Sequence, residues 1–256
     1  MVEDISYSSL IYLLLLFIPI IIINYKLKIT INKKMFIAII RMGVQLTLVG
    51  VFLQYIFDIN DSLINSLYII LMIAVASFST IKSCSMKWKE MFLLFFISFV
   101  IPNVFVLIYF NTAVVQLDNI FEAQYYIPII GMLLGNSLRG NIIGVNKFYN
   151  SIKEREKEYF YRLCLSGNKV EALMPYYKEA VKSSINPVLA SIETMGLVAL
   201  PGMMTGQILG GSIPMTAIKY QIAIMIAIFI ARYFSIHLAI ILTSLRSFNE
   251  FDVLKK

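Results

Sequence analysis

Glu193 is the one acid well inside a long apolar stretch of this 256-residue sequence, and Arg41, Arg139 and Arg232 stand within other such stretches. A charge in an apolar span is costly to desolvate, so it finds a partner or water, and it marks a functional path by default. Counted along ideal helices, Glu193 lies about 10 Å and Arg139 about 12 Å from the inner ends of their stretches, so the two are expected to pair. Arg41 and Arg232 can instead extend their heads toward the lipid headgroups. At about 100° per residue, Asn186, Met204 and Gln207 share the face of Glu193, and Gly202 falls opposite. With Asn136 and Arg139, the residues Glu193, Met204 and Gln207 form a candidate translocation path. An internal polar seam between helices would give the same pattern.

Metal chemistry has few residues to work with. Iron(II) prefers carboxylates and imidazoles, and at depth only Glu193 is available. Met132, Met195, Met203 and Met204 offer thioethers, which suit softer ions, although most of the 13 methionines read as apolar filler. Met132, Met203, Met204 and Glu193 are the metal candidates. The bases near them outnumber the acids, a field that suits a chelated metal or an anionic or organic solute better than a bare cation. There is no H-E-x-x-H, no G-x-S-x-G and no pair of intramembrane carboxylates. Gly131-Met-Leu-Leu-Gly135-Asn136 lacks the lysine and spacing of a phosphate loop. His237 stands alone among apolar residues, and Cys84 and Cys164 read as free thiols. The chain is therefore expected to be no enzyme and to bind no cofactor itself. Any ATP-driven work would need ATP and Mg on a separate subunit.

The elements that carry these residues follow from composition. Hydrophobic residues make up 59% of the chain and charged residues 14%, against roughly 25% charged in soluble domains. A water-soluble domain, a disordered chain and a secreted disulfide scaffold are excluded. Seven stretches suit a bilayer crossing of about 20 residues: Ser8–Asn24, Met35–Phe57, Leu63–Ile81, Met91–Phe110, Tyr126–Val145, Pro187–Leu209 and Thr216–Leu242. The expected fold is an all-α polytopic bundle forming one domain over 1–256. The net charge of +7 is topological, with no nucleic acid implied. Lys26, Lys28, Lys33, Lys34, Lys82, Lys87, Lys89 and the bases between Lys147 and Lys182 fall in alternate loops, and Arg246, Lys255 and Lys256 follow the last span. Glu3, Asp4, Asp58, Asp61, Asp118 and Glu122 fall in the others. Basic loops stay cytoplasmic, so the N-terminus is placed outside and the C-terminus inside a plasma membrane.

One connection is long, about 147–186. Its charged part, Asn150–Tyr161, reads as a solvated helix. That helix is expected to stop at Ser166-Gly167-Asn168, since Gly and Asn suit a left-handed cap. Asn168 then caps a second helix, with Glu171 three positions on, and Pro175 bends or interrupts it. The result is an exposed polar tip with Leu163, Leu165, Val170 and Leu173 behind it: a docking knob or a plain connector. Gly202, Gly206 and Gly210 repeat every four residues, as do Gly131 with Gly135 and Gly140 with Gly144. Such spacing allows close helix approach. With Gly196 and Pro201, the glycines 131, 135, 202, 206 and 210 are the candidates for packing or hinge roles.

Ile127-Pro-Ile-Ile-Gly-Met-Leu-Leu-Gly-Asn136, Gly196-Leu-Val-Ala-Leu-Pro-Gly-Met-Met-Thr-Gly-Gln-Ile-Leu-Gly-Gly211 and Ala217-Ile-Lys-Tyr-Gln-Ile222 resemble the FetB (YbbM) family of ABC transporter permeases. The resemblance implies a permease subunit that pairs with a cytosolic ATP-binding subunit, two copies of each, and exports iron or another metal. Leu165-Ser-Gly-Asn-Lys-Val-Glu-Ala172 resembles the segment through which permeases couple to their ATPase. That likeness implies coupling roles for Leu163, Leu165, Ser166, Gly167, Asn168, Glu171 and Ala172. Two other readings remain open on the residues alone: a secondary transporter or channel working without an ATPase, and a membrane scaffold or sensor that transports nothing.

Overall fold

The computed structural model describes residues 6–255; Glu3, Asp4 and Lys256 lie outside the described residues. The described chain is helical: α1 (Tyr7–Leu15), α2 (Phe17–Lys26), α3 (Asn32–Ile59), α4 (Ser62–Ser83), α5 (Trp88–Tyr109) running into a π-helical turn (Phe110–Val114), α6 (Ala123–Glu154), α7 (Glu156–Ser166), α8 (Lys169–Thr194), α9 (Gly202–Leu209) and α10 (Pro214–Ser247). Four of these segments are long and apolar enough to cross a bilayer: Asn32–Ile59, Ser62–Ser83, Trp88–Val115 and Pro214–Ser247.

Helices α4, α5, α6, α8 and α10 enclose the core. Its tightest crossing is between α6 and α10. A Cβ added at Gly140 would lie 2.6 Å from the Arg232 guanidinium nitrogen Nε, and one at Gly144 would lie 2.5 Å from Ile236 and 3.2 Å from Ser184 of α8. Only glycine lets three helices meet there. Arg232 is 4% exposed, and its guanidinium donates to the Ser184 carbonyl, which ties α10 to α8 across the glycine gap.

A polar seam fastens α5 to the same crossing. Pro102 has no N–H to give the Ser98 carbonyl one turn back. That freed carbonyl accepts from the Ser235 hydroxyl of α10 at 2.9 Å, and Ser235 in turn accepts from Asn141 of α6 at 2.9 Å. Nearby, Ser137 donates to Asn103 at 2.9 Å, and Tyr149 donates to Thr243 at 2.8 Å. Every one of these groups is buried, where a satisfied pair holds and an orphan costs about 1–3 kcal/mol. Helix α3 stands apart. It meets the bundle near its end, where Ile56 packs with Ala123 and Ile127 and the Asn60 side chain accepts from the Ala123 N–H at 2.9 Å.

Several expectations are corrected. The first stretch is two helices, broken at Leu16. The long connection is helical almost throughout: α6 continues to Glu154, and α8 runs unbroken through both Pro175 and Pro187. The sixth stretch, by contrast, is not one helix. α8 stops at Thr194, Gly196 adopts a left-handed φ of 81°, and α9 starts only after Pro201, which supplies no N–H. The face shared by Glu193, Met204 and Gln207 therefore has no continuous helical register.

The glycines separate by role. Within the chain, a Cβ at Gly135, Gly202 or Gly206 would meet nothing within 4 Å, and one at Gly131 would make ordinary contact with Met72. Within the chain, close helix packing is done by Gly140 and Gly144. Gly144→Ala should destabilise the bundle by about 1–3 kcal/mol through overpacking. Gly135→Ala should leave it unchanged. Thermal unfolding of the two variants in detergent checks the contrast.

Candidate functional site

Two regions gather the candidate residues, one at each end of α8. The first is the turn between α7 and α8. Gly167 closes α7 with a left-handed φ of 61°, and its N–H donates to the Leu163 carbonyl at 2.9 Å. The Asn168 side chain accepts from the Val170 N–H at 2.9 Å, and Ser166 Oγ accepts from the Asn168 N–H at 3.2 Å. Ser166 thus takes the backbone bond that Glu171 would make in a capping box, and Glu171 points into solvent. Ala172 and Leu173 are buried and Leu163 is half-buried against the core. Leu165 and Val170 are 69% and 64% exposed, so they stand on the outside of the tip and not behind it. The tip is a rigid knob with an apolar rim.

A clamp absent from the sequence reading holds this knob. Residues 248–254 fold back as a hook closed by a bridge between Phe248 and Leu254, with the Asn249 side chain accepting from the N–H groups of Phe251 and Val253. Tyr159 of α7 is buried between Tyr176 and Phe248 and donates to the Asp252 carbonyl at 2.8 Å. Lys169, next to the turn, reaches Asp252 at 2.8 Å and lies 4.4 Å over the Phe248 ring. On the other side Glu179 of α8 joins Lys147 at 2.8 Å and also binds Arg155. Hydrogen bonds from Lys147 and Arg155 hold the Glu179 carboxyl below its usual range, and the bond to Glu179 raises Arg155 above its own. The only advance signal of the hook was Asn249, a turn former in a short segment without periodicity.

The second region is a cavity of about 450 Å³ between the first turns of α6, the short helix α9 and the start of α10. It brings together Met132, Met203 and Gln207, joined by Gln124, Tyr125 and Tyr220. The side-chain amide oxygen of Gln207 is buried without a partner. Met204 is buried and does not line the cavity. Asn136 is spent on the Met132 carbonyl at 2.9 Å. Just below, Met195 accepts from the buried Gln221 amide at 3.8 Å. No acid, base or imidazole lines the cavity, and among the described residues no three His, Cys, Asp or Glu side chains group to hold a metal.

The expected Arg139–Glu193 pair is not formed. Both side chains are exposed, and neither is in an ion pair among the described residues. The reason is the register of α6 against α8. With Gly144 beside Ser184, Glu193 comes level with Gly135, a full turn past Arg139, and at the open end of α8. Glu193 then lies about 18 Å from the Ala123 end of α6, which is mid-span depth. His237 is a packed side chain, as a lone histidine among apolar residues suggests: its ring meets Tyr177 and Tyr233. Cys84 is half-buried at the end of α4, and burial pushes its thiol up to about 12, which leaves it unreactive.

Residues 7–248 match the family described as "Uncharacterised protein family (UPF0014)". The chain is similar to the UPF0014 membrane protein YjkA of Bacillus subtilis, 33% identical over 198 residues that cover 76% of each chain. It is similar to the probable iron export permease protein FetB of Escherichia coli, 28% identical over 252 residues covering 97% of this chain and 94% of that one. It is also similar to the protein ALUMINUM SENSITIVE 3 of Arabidopsis thaliana, 30% identical over 207 residues covering 80% and 74%. No solved structure matches the chain.

The Glu179 clamp makes a pH prediction. A carboxyl whose folded value is depressed stabilises above its unfolded value, about 4.3, and that contribution is lost as pH falls through the folded value. Protection of α7 amides against hydrogen exchange, corrected for intrinsic rates, should therefore hold at neutral pH and fall below about pH 4. Glu179→Gln should show the weakened protection already at pH 7. The side chains are well over a third exposed, so the effect is modest.

Proposed function

Because the chain belongs to the UPF0014 family of multi-pass membrane proteins, we propose that it is the permease subunit of a transporter whose ATP-binding subunit is a separate cytosolic protein. The pair exports iron or another metal across the plasma membrane; the Escherichia coli relative is named a probable iron export permease. The observation that carries this reading is α8. One unbroken helix of 26 residues, about 39 Å long, starts at the Gly167 knob and ends at the break beside the outer cavity.

In this reading the knob at 163–172 seats in the ATPase, with Leu165 and Val170 on its rim. ATP and Mg bind on that partner, and hydrolysis moves the knob. Helix α8 passes the motion to Gly196 and Pro201, which swing α9 and the cavity it lines. The seven crossings are α1 with α2, then α3, α4, α5, α6, α8 with α9, and α10, with the N-terminus outside. The turn after α4, the end of α6 and the end of α10 meet at one end of the bundle, and all are basic, which supports that end being cytoplasmic.

Two copies face one another across the path. Irregular backbone is not tolerated against lipid at membrane depth, and here residues 195–201 expose Leu197 and Val198 beside the unpaired Glu193. That face is covered by a second copy or lines water. The cavity favours metal carried as a complex: iron(II) alone would prefer carboxylates or imidazoles, and the lining offers two thioethers, phenols and an unpartnered amide.

Reconstituted with its ATPase, the protein should show ATP-dependent flux across a screen of free metals and metal chelates. Gly167→Arg should abolish both ATPase co-purification and flux while the fold persists. Gln207→Ala should retain ATPase binding and lower flux. Full flux without any ATPase would point to a secondary transporter or channel, and no flux with any substrate to a scaffold.

A further inference from the structure

The geometry points to a binding site for a phosphate-bearing anion, a phospholipid headgroup, in a basic pocket at the end of the bundle opposite the cavity. The pocket, about 180 Å³, lies between the α4–α5 turn, the last turns of α6, the end of α10 and the C-terminal hook. Lys87, Lys153, Arg246 and Lys255 converge on it from these four elements, against the single acid Glu90. None of the five forms an ion pair among the described residues. The hook is needed to close it: the Lys255 N–H donates to the Ser247 carbonyl at 2.9 Å, which brings Lys255 alongside Arg246. Bases held this close repel one another unless an anion lies between them.

Its level in the membrane identifies the source of the anion. The pocket sits where three apolar helices end, and Trp88, at the first position of α5, is 57% exposed there, as tryptophans are at the membrane–water boundary. Met86, Met91 and Leu254 supply apolar wall beside the bases. A basic pocket between helices at headgroup depth suits an anionic lipid. Charge placed only to set topology would not need to converge, and Lys28, Lys33 and Lys34 are not part of this pocket.

The test uses the full-length protein in phosphatidylcholine nanodiscs containing a graded fraction of phosphatidylglycerol, with bound lipid counted by native mass spectrometry. Phosphatidylglycerol should be retained over phosphatidylcholine. Lys87→Gln and Lys255→Gln, both exposed and outside the core, should each weaken that retention about fivefold. Lys28→Gln with Lys34→Gln, which removes twice as much charge elsewhere, should not. Displacement of phosphatidylglycerol by inorganic phosphate would overturn the lipid source and leave a soluble phosphate ester as the ligand. Equal retention of the two lipids, or equal loss in the control pair, overturns the site.

Discussion

The structure hangs on the contact of three helices at Gly140 and Gly144. In a bilayer, lipid tails are as apolar as leucine, so helices associate through close packing and hydrogen bonds instead of hydrophobic drive. The two glycines bring α6 to within side-chain reach of α10 and α8 at once, and Arg232 fills the gap with a buried guanidinium bound to the Ser184 carbonyl. A buried arginine with no acid beside it is tolerated only where backbone carbonyls and a locked geometry hold it. The rest is built outward from this point. The Ser98–Ser235–Asn141 chain lies level with it and fixes α5, and the Tyr149–Thr243–Ser247 cluster lies just below it and fixes the end of α10.

Prolines work in this bundle by releasing carbonyls instead of breaking helices. Pro102 frees the Ser98 carbonyl, and Ser235 from another helix takes it up. The cost of the missing bond is thereby converted into an interhelical tie. This explains why α8 passes through Pro175 and Pro187 while the chain does break near Pro201. At the first two, α8 is packed against α6, α7 and α10 and stays unbroken. At the third, glycines on both sides and the left-handed Gly196 offer the backbone an alternative, and no buried partner enforces the helix.

Legibility in the sequence followed the range of the interaction. The turn at Ser166, Gly167 and Asn168 could be read because caps are local: the residue type and its place next to a helix suffice. Long apolar helices were legible for the same reason. The break at 195–201 was half legible: Gly196 and Pro201 stood out as hinge candidates, but the residues between them are apolar and fit a span by composition. The absence of an Arg139–Glu193 pair depends on a register between α6 and α8 that tertiary packing sets. Which glycines pack was equally invisible, since Gly140 with Gly144 and Gly202 with Gly206 share one spacing and only the first pair meets another helix. The cavity was half legible. Met132, Met203 and Gln207 were singled out for their chemistry, and the fold places them together. Tyr125 and Tyr220 carried no signal.

The clamp around the knob decides how motion can travel. Glu179, Lys147 and Arg155 tie α8 to α6, and Lys169, Asp252 and Phe248 tie its first turn to the tail of α10. These ties are exposed ion pairs and ring contacts, each weak and salt-sensitive. The glycine crossing higher up is buried and tightly packed. In the proposed coupling, a load applied at Gly167 would yield first at the surface clamp, and the crossing at Ser184 would stay fixed as a pivot. From that pivot the far arm of α8 runs ten residues to Thr194, about 15 Å, and the near arm fifteen residues to Lys169, about 22 Å. Displacement at the knob would thus be delivered to the break in the same order of size. Gly196 can absorb it as backbone rotation, because no neighbour fills the space around that residue.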